Sequence, residues 1–200
     1  MIVEQLNFKE WSDPFYISQK QHNFKILDTY LTKPPVKMLD IGCGPAFESY
    51  YFYKKYGTEL YLIDGDVNDN KAKKRKVSKW SDSPETFSFY NTLDSLRQHF
   101  DRNGIKNYKL IDSNNINIQE DVKFDLITSW LSCGFHYPLS TYKDLMIKHS
   151  HPETKIIVNL RLDKGTKKVV NSEDIEIVKV FENHSKLDKH LTAEIKFKIS

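Results

Sequence analysis

Apolar residues along this chain follow two alternating rhythms. In residues 15–31, FYISQKQHNFKILDTYL, the positions Phe24, Ile26, Leu27, Tyr30 and Leu31 recur at helical spacing and predict a helix with one buried stripe. KPP at 33–35 stops it, because proline cannot continue a helix and restrains the residue before it. Short apolar runs at VKMLDI (36–41) and ELYLID (59–64) read as buried strands. Between them PAFESYYFYKKYG predicts a helix that opens near Pro45 and closes at Gly57. A polar stretch runs from Gly65 to about Ser88. Residues 86–104 then read as a helix, with Phe89, Leu93, Leu96 and Phe100 on one face and Gly104 as the stop. NYKLID (107–112), KFDLITSWLS (123–132) and TKIIVNLRL (154–162) supply three more strands, with a helix around 140–149. Two alternating segments close the pattern, DIEIVKVFE (174–182) and HLTAEIKFKI (190–199), and read as antiparallel neighbours.

Strands alternating with helices predict an α/β fold. The expected form is a Rossmann-like doubly wound sheet, mostly parallel with an antiparallel C-terminal strand, and helices on both faces. No repeat or low-complexity linker divides the 200 residues, so one domain over 1–200 is expected, with 65–88 as an insertion after the second strand.

Composition acts mainly by exclusion. The formal net charge is +3 with 28% charged residues, so any affinity for nucleic acid has to come from a local patch. No apolar run approaches the roughly 20 residues of a membrane helix, and MIVEQLNFKEW lacks the basic start and apolar segment of a secretory signal. Two cysteines, Cys43 and Cys133, make no C-x-x-C pair. A reducing, cytoplasmic setting is expected.

The chemistry starts at MLDIGCGPAF, residues 38–47. Glycines after a first strand let backbone approach a nucleotide-like ligand at the carboxyl end of the sheet. A dinucleotide loop needs a third small residue where Phe47 stands, and a phosphate loop needs G-K-S or G-K-T, which does not follow. Asp40, Gly42, Gly44 and Ala46 instead match D-x-G-x-G-x-[GA]. In this the sequence resembles the class I S-adenosylmethionine-dependent methyltransferases.

The resemblance runs over roughly residues 25–200 and implies S-adenosylmethionine as cofactor. It implies that Asp40 helps hold the cofactor's amino group, and that Gly42 and Gly44 leave room for the chain and ribose. Asp64, closing the second strand, is expected to accept both ribose hydroxyls, with Asp66 as competitor. Asp112, closing the third strand, is expected at the adenine amino group; Asn114 and Asn115 compete, and an Asx turn is the plain alternative. FDLITSW matches the fourth-strand motif, placing Ser129 and Trp130 at the cofactor with the strand end facing the methyl group.

SWLSCGFHYPLSTY follows that strand. His136 is the candidate general base, since an ordinary imidazole works near neutrality. Phe135, Tyr137 and Tyr142 are candidates to wall or hydrogen-bond the acceptor. No carboxylate cluster suggests a metal: Asp163 follows the fifth strand, but SWLSCGFH offers no acid. The [DNS]-P-P-[YFW] motif of amino-group methylation is absent, and SWLS stands in its place. The run GFHYPLSTY is similar to small methyltransferases described as sugar O-methyltransferases. The leading expectation is therefore O-methylation of a small polar or sugar-like acceptor.

Lys71, Lys73, Lys74, Arg75, Lys76 and Lys79, followed by Trp80, keep two alternatives open. One is an RNA methyltransferase that uses this basic stretch as an anchor. The other is a methyltransferase-like domain that binds without turnover.

Overall fold

The computed structural model describes residue 6 and residues 9–69, 89–163, 168–169, 174–181 and 190–198. The basic stretch 71–79 and Trp80 lie outside the described residues.

Helix α1 spans Pro14–Tyr30, and its Asp13 side chain caps it by accepting from the N–H of Phe15 at 2.7 Å. Strand β1 is Lys37–Ile41 and α2 is Phe47–Tyr56. The predicted start at Pro45 moves two residues on, because Ala46 takes a left-handed conformation (φ 51°) and holds the cap position. Strand β2 is Glu59–Asp64. Helix α3 is Leu93–Arg102, shorter than the apolar spacing predicted. Thr92 caps it by accepting from the Ser95 N–H at 3.0 Å, and this leaves Phe89 before the helix instead of on its stripe. Strand β3 is Tyr108–Asp112, β4 Leu126–Ser129, α4 Lys143–Lys148, β5 Lys155–Arg161, β6 Ile175–Phe181 and β7 His190–Phe197.

These seven strands form one sheet in the order β3-β2-β1-β4-β5-β7-β6. β1 to β5 are parallel to their neighbours, and β7 runs antiparallel between β5 and β6. The expected doubly wound, mostly parallel sheet with an antiparallel C-terminal strand is what forms. Strand alternation splits β2 between two cores. Leu60 and Leu62 face Leu27, Phe52, Leu96 and Phe100 of the first three helices, whereas Ile63 joins Ile41, Ile127 and Met146 of α4 on the other side. The order reverses between β1 and β4, and the crevice outside their carboxyl ends is where such sheets bind ligands. No described helix is long and apolar enough to cross a membrane.

Candidate active site

The ends of β1, β2 and β4 open onto one cavity. After β1 the chain turns sharply, and the N–H groups of Gly42 and Cys43 both donate to the Ile63 carbonyl, at 2.8 and 3.0 Å. Gly42 has φ 70°, and a Cβ there would fall 1.8 Å from Ser132 Oγ. Glycine is therefore required twice, by conformation and by the close approach of the loop after β4. Ser132 and Tyr137, which both line the cavity, share a short hydroxyl–hydroxyl hydrogen bond.

Asp64 lies on the cavity wall at the end of β2. Its carboxylate accepts from the N–H of Gly44 at 2.6 Å and of Gly65 at 2.7 Å. Burial pushes its pKa up to about 6, against the pull of those two amides. Asp66, the competitor, is spent elsewhere. It accepts from the N–H of Asn68 at 2.8 Å and of Leu93 at 3.0 Å, and does not line the cavity.

Four other expected residues lie off the cavity wall. Asp40 is buried between β1, β4 and α2, where it accepts from Ser49 Oγ at 2.6 Å and Thr128 Oγ1 at 3.1 Å. Asp112 forms the Asx turn, accepting from the Asn114 N–H at 2.8 Å, and Ser113 takes its place on the wall. Ser129 is a pin beneath the site: its hydroxyl donates to the Ile41 carbonyl at 2.9 Å and accepts from the Cys133 N–H at 2.8 Å. Phe135 packs its ring against His136 and His190.

Desolvation raises the Asp40 carboxyl to about 7. An unfolded aspartate titrates near 3.9, so the folded state holds the proton more tightly. Stability is then full below about pH 4 and is lost as pH rises toward 7. Asp40→Asn should remove most of that slope, on the order of 2–4 kcal/mol, in urea unfolding compared at pH 5 and pH 8.

Trp130, His136, Tyr137 and Tyr142 do line the cavity, as does Leu131. Leu131 carries φ 51°, an uncommon conformation for leucine, held by its N–H bond to Asn159 Oδ1 at 2.9 Å. The buried indole Nε1 of Trp130 has no hydrogen-bond partner among the described residues. Burial holds the Tyr137 phenol well above its ordinary pKa and raises Tyr142 too. Both therefore stay protonated near neutrality and can donate.

No protein-family model matches the sequence, and no curated protein sequence matches it. Solved structures do match the fold. A SAM-dependent methyltransferase from Aquifex aeolicus superposes with TM-score 0.58 at 17% identity, over 94% of each chain. The ribosomal protein L11 methylase from Lactobacillus delbrueckii subsp. bulgaricus gives 0.55 at 15% identity, over 91% of this chain and 80% of that one. A mutant of MtNAS in complex with S-adenosylmethionine gives 0.62 at 12% identity, over 94% of this chain and 65% of that one. The chain has the class I S-adenosylmethionine-dependent methyltransferase fold.

On this methyltransferase fold, several wall residues carry no motif. Trp11, Tyr16, Lys20 and Glu48 close one side of the cavity, and Phe89 and Tyr90 another. Phe89 lies so close over Gly65 that a Cβ there would fall 2.1 Å from the ring. Lys20 and Glu48 pair at 3.0 Å, with side chains only 7% and 3% exposed. Burial alone would lower the Lys20 pKa, but Glu48 beside it holds the ammonium above the ordinary lysine value. One sequence signal was available: Lys20 stands four and seven residues before Phe24 and Leu27, on the stripe that should be apolar. Among the described residues, no three His, Cys, Asp or Glu side chains group as a metal site needs.

Proposed function

We propose that the protein is an S-adenosylmethionine-dependent methyltransferase that methylates a hydroxyl of a small polar, sugar-like acceptor. The observation that carries this reading is Asp64, a carboxylate on the cavity wall at the end of β2, fixed by the N–H groups of Gly44 and Gly65. Two N–H groups leave lone pairs on both oxygens for a pair of ribose hydroxyls. The orphaned Trp130 Nε1–H fits the same conclusion, since a buried donor without a partner calls for a polar ligand. The names of the fold neighbours and the S-adenosylmethionine complex of one of them support the choice of cofactor.

When bound, S-adenosylmethionine supplies a methyl group on a positively charged sulfur. The protein's own residues then position, desolvate and deprotonate. Aromatic walls exclude water and offer flat faces to a ring-shaped acceptor. The Ser132–Tyr137 pair offers hydrogen bonds to its hydroxyls. His136 takes the proton of the hydroxyl that becomes methylated and returns it to solvent. Two free, buried cysteines suit a reducing, cytoplasmic setting.

A tritium-methyl transfer screen against nucleotide-sugars, small phenols and RNA tests this. Label should pass to a small hydroxyl compound. Transfer to RNA alone would sink the small-acceptor reading, and cofactor binding without any transfer would leave a binding domain.

A further inference from the structure

We propose that Lys20 and Glu48 are a paired anchor for the zwitterionic amino-acid end of the cofactor, Lys20 taking its carboxylate and Glu48 its ammonium. The inference rests on the cofactor reading above and assigns two residues of this chain to it. Placement is the first argument. Glu48 lies in the first turn of α2, four residues after Gly44, whose N–H fixes Asp64. Lys20 reaches the same wall from α1. The expected amino-group partner, Asp40, is off the wall and committed to Ser49 and Thr128.

Charge is the second argument. Burying an ion pair is costly, and an apolar pair of similar volume often serves a core as well or better. Here the pair faces a cavity. A wall of no net charge with one positive and one negative end complements a ligand end of the same kind.

Unused bonding capacity is the third. Glu48 receives both Lys20, at 3.0 Å, and Asn23, at 2.8 Å, on Oε1, and neither of them on Oε2. The Lys20 ammonium has three donors; Glu48 and the Tyr16 phenol account for two, which leaves one for a ligand, and the Trp130 ring lies 5.8 Å away. The orphaned indole N–H of Trp130 adds a second donor on the Lys20 side.

Calorimetric titration of the full chain with S-adenosylhomocysteine and with 5′-methylthioadenosine separates this role from a clamp between helices. The second ligand keeps the adenine, ribose and thioether but lacks the amino-acid end. The variant Lys20→Met with Glu48→Gln removes both charges together, so neither is left buried alone. It should bind S-adenosylhomocysteine roughly 10- to 100-fold more weakly and 5′-methylthioadenosine as the wild type does. The single variant Trp130→Phe should weaken only S-adenosylhomocysteine. Equal losses for both ligands, or no loss for either, in the double variant would overturn the anchor. If the wild type binds neither ligand, the cofactor reading itself fails, and the anchor with it.

Discussion

Asp64→Ala should abolish the rise in melting temperature that S-adenosylmethionine gives the wild-type protein. Two hydrogen bonds from ribose hydroxyls to a carboxylate contribute roughly 1.5–3 kcal/mol each, so affinity should fall at least about 100-fold. A ligand that stabilises only through binding then loses its effect at ordinary concentrations. The variant also releases the N–H groups of Gly44 and Gly65, so the loop that faces the ligand loses its tether. A pH dependence accompanies this. The wild-type carboxyl titrates at about 6, raised by burial, and the ionised form is the better acceptor. Cofactor affinity should therefore rise between pH 5 and pH 7, and a variant at 64 should show no such rise. Thermal-shift titrations at those pH values decide it; a full shift in the alanine variant would remove Asp64 from the site.

His136→Ala should lower kcat by about 10²- to 10⁴-fold and leave cofactor affinity unchanged. Alanine keeps the backbone N–H bond from residue 136 to the Ser132 carbonyl, at 2.8 Å, so the loop retains its turn. Tyr137 is a poor substitute as a base, because burial holds its phenol protonated. Single-turnover transfer to the acceptor found by screening, beside a binding titration, separates the two effects. Wild-type rates in the variant would move the proton acceptor elsewhere.

The sheet was legible in the sequence because its strands are short apolar or alternating runs bounded by turn residues, and β1 to β5 all lie near their predicted positions. Site assignments depended on finer geometry. Asp64 and Asp66 stand two apart in DGD, and what tells them apart is three-dimensional: Asp66 turns to the N–H groups of Asn68 and Leu93, while Asp64 takes those of Gly44 and Gly65 on the cavity wall. Asp40 was readable in principle. Strand side chains alternate, so Asp40 shares a face with Met38, which packs in the core under α1 and α2, and it meets Ser49 there. A motif match named the residue but not the direction of its side chain. Phe89 kept the helical rhythm of Leu93, Leu96 and Phe100, yet Thr92 is the better start, and the ring went to Gly65 instead. Lys20 and Glu48 fit no motif, because their meeting depends on how α1 packs on α2, which no local pattern encodes.

The junction of β1 and β4 also bears on how the protein reaches its working state. The hydrogen bond from Thr128 to Asp40 joins residues 88 positions apart. Contacts that far apart close slowly, because the intervening chain must first give up its freedom. The β1–β2 pairing is far more local. Asp64 ends β2 in that local half, and Trp130 directly follows β4, the strand across the long closure. The two walls of the cavity should therefore form at different stages of folding, the Asp64 side before the Trp130 side, which pulsed hydrogen exchange during refolding would resolve.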